Sequence, residues 1–106
     1  MEPTLFTEVR ETMTVVQEEI FGPVLCVLSF DDFDELIQRA NDTTYGLAAS
    51  IWTRDLNKAT RFAQEIQAGI IWINGHGLYD SAAPFGGYRQ SGFGRELGED
   101  SISEYT

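Results

Sequence analysis

Three apolar runs of strand length alternate along the chain with two segments of helical period, and few folds accommodate that order. The runs cover residues 24–30 (VLCVLSF), 47–52 (LAASIW) and 70–74 (IIWIN). Runs that are apolar almost throughout are typical of strands buried on both faces. A helical connection between two such strands joins them in parallel. The sequence therefore predicts an α/β fold with a parallel βαβαβ core.

Local signals define the two helices of this core. Asp32, with Glu35 three residues later, is a capping start, and Asp55 can cap the second helix. Gly69 stands where a glycine would end that second helix. Apolar residues at intervals of three and four form the inner stripe of each helix. The stripes are Phe33, Leu36, Ile37 and Ala40, then Leu56, Ala59, Phe62, Ala63 and Ile66.

The segments outside this core carry weaker signals. Residues 3–9 read as a further strand, residues 13–20 as a short helical turn, and residues 96–105 as a last helix. Trp52 and Trp72 are most simply core residues of neighbouring strands. With 42% hydrophobic residues, the chain has enough apolar side chains for a real core.

Length and charge restrict the partners. The 106 residues are enough for one domain, which we assign to the whole chain, residues 1–106. Seventeen acidic residues against seven basic ones give a net charge of −10, which repels phosphate backbones and anionic membranes. We therefore expect no nucleic-acid partner and no membrane partner. No apolar run approaches the ~20 residues of a spanning helix, and we expect a soluble, cytoplasmic domain.

The glycine-rich stretch 75–94 is where a ligand site is expected, because open parallel sheets bind ligands beyond the carboxyl ends of their strands. His76 lies in this stretch between two glycines and is interpreted as a surface residue or a pocket wall. One histidine and one cysteine give no metal cluster. Cys26, flanked by apolar residues, is predicted to be an inert core residue. The glycines of residues 92–98 follow a loop and not a strand, which excludes a dinucleotide-binding turn.

Residues 18–24, EEIFGPV, carry a far more specific signal, and other short segments agree with it in order and spacing. These are EPT at 2–4, AND at 40–42, YGLA at 45–48, PFGGY at 84–88 and SGFGRE at 91–96. Over essentially all its residues the chain resembles the C-terminal part of the catalytic domain of NAD(P)-dependent aldehyde dehydrogenases. The resemblance implies oxidation of an aldehyde to a carboxylic acid through a cysteine-bound thioester, with hydride passing to NAD⁺ or NADP⁺.

The resemblance implies two cofactor-binding residues. Glu19 matches the carboxylate that hydrogen-bonds the hydroxyls of the nicotinamide ribose, and a carboxylate accepts two such donors well. Phe21 matches the ring that packs beside the nicotinamide, where an aromatic wall restricts the poses of that group. NAD or NADP is thus the cofactor that the resemblance implies for the parent enzyme.

The resemblance also assigns residues to the aldehyde side of the site. Leu78, Tyr79 and Phe85 match positions that line the aldehyde tunnel. This agrees with the ligand site expected in residues 75–94, directly after the predicted strand that ends at Asn74. An aromatic lining favours apolar or aromatic aldehydes, since it offers few charged partners. Glu96 matches a catalytic glutamate that, in some members of the family, assists proton movement near the general base.

Several catalytic groups of the family lie outside the matched region. The nucleophilic cysteine, the general-base glutamate, the oxyanion-hole asparagine and the Rossmann cofactor domain all precede it in the family. We therefore expect the chain to be inactive alone and to function as part of a parent dehydrogenase. A different class of function stays open, namely a non-catalytic module that self-associates or pairs with dehydrogenase subunits through apolar faces.

Overall fold

The computed structural model describes residues 2–106, which form two compact units. The first unit ends at Leu36 and the second covers Ile37–Thr106. Helix α2 (Phe33–Asn41) carries the chain from one unit into the other. Among the described residues, none of the helices has the length and apolar character that crossing a membrane requires.

The first unit contains one parallel strand pair. Strand β1 (Thr4–Phe6) and strand β2 (Val24–Cys26) are joined by a segment that includes helix α1 (Thr14–Gln17). Residues of β1 pair in register with those of β2, from Thr4 opposite Val24 onward. Both strands are shorter than predicted. The prediction that residues 24–30 are buried on both faces is wrong here, because alternate residues face outward and Leu25 is 63% exposed.

The second unit contains a parallel pair joined by a helix. Strand β3 (Tyr45–Gly46) precedes β4 (Ala48–Ile51), helix α3 (Leu56–Glu65) and β5 (Ile70–Ile73). Strands β4 and β5 pair in parallel over four residues. This β4–α3–β5 unit confirms the predicted strand–helix–strand crossover, and with it the α/β class.

The C-terminal part of the second unit adds short elements. Strand β6 (Tyr88–Arg89) pairs antiparallel with β3, a pairing that the sequence did not predict. Helix α4 (Asp100–Ser103) is much shorter than the helix predicted over residues 96–105. Residues 76–87 form loop and turn structure apart from one bridge at Phe85.

The three strands of the predicted core are divided between two sheets. Strand β2 pairs with β1, whereas β4 pairs with β5, so the ladders do not form one three-stranded βαβαβ sheet. Each apolar run contains a strand, but the order of the runs in the sequence does not determine which strands pair. Strand pairing is decided by contacts between distant segments, which hydrophobic patterns within each segment do not report.

Both predicted helix caps are present. The backbone N–H of Glu35 donates to Asp32 Oδ1 at 2.8 Å. The Glu35 carboxylate in turn accepts from the backbone N–H of Asp31 at 2.9 Å. At α3, Asp55 Oδ1 accepts from the second and third backbone N–H groups after it, at 2.9 and 3.3 Å. These bonds satisfy donors that have no partner within the helix, which explains where α2 and α3 begin.

The core of the second unit is small and apolar. Its buried hydrophobic residues are Ile37, Ile51, Ala59, Phe62, Ile66 and Trp72. Trp52, predicted to be a core residue, is 65% exposed, because successive side chains of a strand point to opposite faces and Ile51 takes the inner one. Ala40, Leu56 and Ala63, assigned to the inner stripes, are also exposed.

Gly69 does not end α3 as predicted. The helix closes at Ile66, whose backbone N–H donates to the Phe62 carbonyl at 3.0 Å. Gly69 is instead required by a close approach between two backbone segments, since a Cβ there would lie 1.6 Å from the Gly86 carbonyl oxygen.

Candidate functional site

The loop after β5 brings together three of the predicted site residues. Leu78 and Tyr79 follow the end of β5 by a few residues, and Phe85 lies further along the same loop. The rings of Tyr79 and Phe85 meet edge to face, with centroids 5.1 Å apart. Leu78 and Tyr79 are exposed, whereas Phe85 is half-buried. The loop therefore presents an apolar surface held by ring contacts.

Trp72 of β5 anchors this surface to the sheet. Its indole N–H donates to the Leu78 carbonyl oxygen at 2.7 Å. Its ring also meets the Tyr79 ring edge to face at 5.4 Å. Trp72 is 8% exposed, so a rigid core residue fixes the backbone of Leu78 and the side chain of Tyr79. The sequence predicted a core position for Trp72 but not this role in the site.

Glu96, the predicted catalytic residue, lies beside Phe85 in the backbone. The two residues form an antiparallel bridge, with both N–H···O distances at 2.7 Å. Phe85 and Glu96 also line an open cleft of about 360 Å³. The structure thus places Glu96 beside Phe85, one of the three residues predicted for the aldehyde side, and the Glu96 side chain is exposed.

Charged groups accompany the rings in this cleft. Arg95 donates from Nη1 to the carbonyl oxygens of Gly87 and Gly94, at 3.1 and 2.6 Å, and its guanidinium lies 5.1 Å from the Tyr88 ring centroid. Glu104 and Glu96 also line the cleft. The arrangement offers an apolar aromatic surface next to carboxylates that can accept a proton. Arg95 was missed, although it stands inside the SGFGRE segment.

The two predicted cofactor residues lie in the first unit. Glu19 and Phe21 occupy the segment between α1 and β2, and both side chains are exposed. Phe21 is 92% exposed and has a φ of 53°, a conformation uncommon for a bulky side chain. An aromatic ring held outward beside an exposed carboxylate is accessible to a ligand.

Cys26 and His76 are placed by clear contacts. Cys26 is half-buried, and its Sγ lies 3.5 Å from the Val15 carbonyl oxygen. His76 is exposed, and its Nδ1 lies 2.7 Å from Ser50 Oγ. The contact with Ser50 is not predicted from the sequence, where the one signal for Ser50 is a hydroxyl group within an otherwise apolar strand. Within residues 2–106, no group of three or more His, Cys, Asp or Glu side chains is arranged to hold a metal ion.

Comparisons with known proteins agree on one family. The sequence matches the model of the aldehyde dehydrogenase family over residues 1–106. It is 49% identical over 106 residues to aldehyde dehydrogenase 1A1 of Gallus gallus, covering 100% of this chain and 21% of that protein. It is 48% identical over 106 residues to the mitochondrial aldehyde dehydrogenase of Homo sapiens, covering 100% of this chain and 20% of that protein.

A solved structure gives the same result for the fold. An aldehyde dehydrogenase from Bacillus cereus, in complex with NAD⁺, superposes with a TM-score of 0.96 at 52% identity, covering 99% of this chain and 21% of that chain. The chain thus spans about a fifth of the length of the relatives it matches.

Proposed function

Because the chain belongs to the aldehyde dehydrogenase family, we propose that it supplies part of the catalytic domain of an enzyme that oxidises an aldehyde to a carboxylic acid. The observation that carries the proposal is the grouping of Leu78, Tyr79, Phe85 and Glu96 in one loop region of the second unit. NAD⁺ or NADP⁺ is the oxidant in this proposal and accepts hydride from the substrate.

The aldehyde side of the proposed site consists of Leu78, Tyr79 and Phe85. An edge-to-face ring contact holds Tyr79 against Phe85. The hydrogen bond from the Trp72 indole fixes the backbone of Leu78. An apolar surface held in this way orients an apolar or aromatic aldehyde without charged partners. We therefore assign that substrate class to the parent enzyme.

Glu96 has the role of a proton acceptor in this proposal. Its backbone is fixed against Phe85 by two short hydrogen bonds, while its carboxylate stays exposed and able to exchange protons. A carboxylate in that position can take up a proton released near the aldehyde and pass it to solvent.

Glu19 and Phe21 are the residues that we assign to the cofactor. The exposed carboxylate of Glu19 can accept hydrogen bonds from ribose hydroxyls. The outward ring of Phe21 can pack against a flat heterocycle. Both properties fit a nicotinamide nucleotide.

The chain alone is not expected to catalyse the reaction. Its one cysteine, Cys26, is half-buried within β2, with its thiol directed to the backbone carbonyl of Val15. A nucleophilic thiol requires an accessible setting, which a half-buried position within a strand does not provide. The nucleophile of the parent enzyme is therefore a cysteine outside these residues.

A segment exchange tests the proposal directly. The matching segment of the Gallus gallus aldehyde dehydrogenase 1A1 is replaced by this chain, and NADH or NADPH formation is followed with an aliphatic and an aromatic aldehyde. We expect turnover by the chimeric enzyme and none by the separate 106-residue chain. A folded chimera without turnover contradicts the proposal, as does activity of the separate chain that survives repurification.

A second function, that of a self-associating module, has its own observation. In the second unit the aromatic side chains of Phe93 and Tyr105 are 99% and 83% exposed, and Leu56 is 77% exposed. Phe93 and Tyr105 line the same cleft, and a contiguous exposed apolar patch is typical of surfaces that contact another protein. Light scattering of the chain at rising concentration tests this second function, since a monomer at every concentration would exclude self-association.

We also propose that the protein acts in the cytoplasm, the location expected from its sequence. Several relatives, that of Homo sapiens among them, are mitochondrial enzymes by name. Cell fractionation with an antibody against this segment decides between the two compartments.

A further inference from the structure

His76 is tied to the sheet on which the proposed site stands. In the β4–β5 ladder Ser50 is paired with Trp72, so their side chains lie on the same face. The loop after β5 folds back over this pair, which brings His76 Nδ1 to 2.7 Å from Ser50 Oγ. The imidazole also meets the Trp72 ring at 4.8 Å, with an interplanar angle of 60°.

These contacts continue without a gap to the proposed aldehyde surface. The rings of His76, Trp72, Tyr79 and Phe85 touch in that order, and we call these four residues the ring series. Successive centroids are 4.8, 5.4 and 5.1 Å apart. Edge-to-face contacts at such distances are favourable for aromatic groups. Ser50 thus fixes one end of the series, and the other end is Phe85.

The backbone around His76 explains why an anchor is needed there. Gly75 and Gly77 flank it, and Gly77 has a φ of 72° with open space around it. Two glycines give this part of the loop more conformational freedom than other residues would. The hydrogen bond to Ser50 restricts this freedom.

We propose that His76, held by Ser50, is a positioning residue that fixes Trp72 and, through Trp72, the loop that carries Leu78 and Tyr79. His76 does not itself contact the aldehyde in this proposal. The part that concerns the aldehyde rests on the proposed function, whereas the part that concerns the loop stands on the contacts alone.

Three variants separate the two contacts of His76. Ser50→Ala removes the hydrogen bond and leaves the ring, and His76→Phe also keeps only the ring. His76→Asn keeps a polar atom near the position of Nδ1 but removes the ring. Thr60→Ala, on an exposed position of α3, is the matched control for the loss of a hydroxyl.

The first measurement is hydrogen exchange of the two indole N–H groups in the 106-residue chain, followed by NMR. Trp72 has a bonded, buried indole, and the exposed Trp52 is an internal reference. Loss of one hydrogen bond is expected to lower the protection of the Trp72 indole by about two- to tenfold in Ser50→Ala and His76→Phe. His76→Asn should retain part of it, and Thr60→Ala all of it. Unchanged protection in Ser50→Ala and His76→Phe, or a wild-type Trp72 indole that exchanges as fast as that of Trp52, overturns the proposal.

The second measurement uses the chimeric enzyme described above. Ser50→Ala and His76→Phe should raise KM for an aromatic aldehyde by about two- to tenfold, with kcat and the KM for NAD⁺ nearly unchanged. If the substitutions only destabilised the fold, the amount of active enzyme and its maximal rate would fall, but the KM for the aldehyde would not rise selectively. Equal constants in all variants contradict the role toward the aldehyde. A wild-type chimera without turnover refutes the proposed function instead, and the exchange experiment still decides the role of His76.

Discussion

Replacing Gly69 by alanine is expected to be among the most costly changes of a single methyl group in this chain. The added Cβ would lie 1.6 Å from the Gly86 carbonyl oxygen and 2.8 Å from its carbonyl carbon. Both obstacles are backbone atoms, so no side-chain rotation can relieve the overlap. The two segments must separate by roughly 2 Å to reach ordinary van der Waals distance.

That separation would break hydrogen bonds at the start of β5. The Gly69 N–H donates to the Gly46 carbonyl at 3.0 Å, and the Ile70 N–H donates to the Leu47 carbonyl at 3.2 Å. With about 1 kcal/mol for each bond and a similar amount for disturbed packing, the free energy of unfolding should fall by about 3 kcal/mol. This is a large share of the stability of a small domain.

Urea denaturation followed by circular dichroism measures this change, with Gly75→Ala as the control. A Cβ at Gly75 would meet Leu78 Cδ1 at 3.5 Å, an ordinary contact, and Gly75 does not need a positive φ. The control should therefore shift the free energy of unfolding by less than about 0.5 kcal/mol. If both variants lose the same stability, or if Gly69→Ala loses less than about 1 kcal/mol, the argument from the close approach of the backbones is refuted.

Three further predictions concern the helix cap, the core and the cofactor. Asp55→Ala removes the acceptor of two backbone N–H groups and should cost about 1 kcal/mol in the same urea assay; no loss would contradict the cap. Phe62→Ala should cost about 3–5 kcal/mol, whereas Leu56→Ala, at an exposed position of the same helix, should cost under about 0.5 kcal/mol; similar losses would contradict the burial pattern of α3. In the chimeric enzyme, Glu19→Gln should lower turnover and weaken cofactor binding, because an amide accepts fewer hydrogen bonds from ribose hydroxyls; unchanged kinetic constants for NAD⁺ and aldehyde would contradict that assignment.

The elements that short-range signals control could be predicted from the sequence. Asp32 and Asp55 begin their helices as predicted, because a side-chain cap is a contact between residues only two or three positions apart. The crossover from β4 through α3 to β5 also follows from local periods and a short connection. Each cap depends on neighbours that stand close together in the sequence, and the crossover depends on periods that each segment shows by itself.

Features that depend on distant contacts were missed. Strand β3 pairs with β6 more than forty residues later, and each strand has only two residues, too few to show a period. Trp52 and Leu25 were expected inside because an apolar run does not indicate which of its two faces is covered. The local sequence relates Gly69 to the end of the helix before it. What requires a glycine there is the carbonyl group of Gly86, seventeen residues further on.

The glycine-rich segment shows why a motif can be recognised in a sequence long before its shape is known. A Cβ at Gly86 would lie 2.5 Å from the Gly94 carbonyl oxygen, and one at Gly87 would lie 2.6 Å from the Ser91 Cβ. These glycines let the chain fold back on itself, so that Phe85 and Glu96 form their bridge across the turn. The glycines of PFGGY and SGFGRE are therefore needed because backbone segments approach each other closely there, and the pattern shows no helical or strand period. Substitution of Gly86 should consequently displace Glu96 from Phe85, even though neither residue is changed.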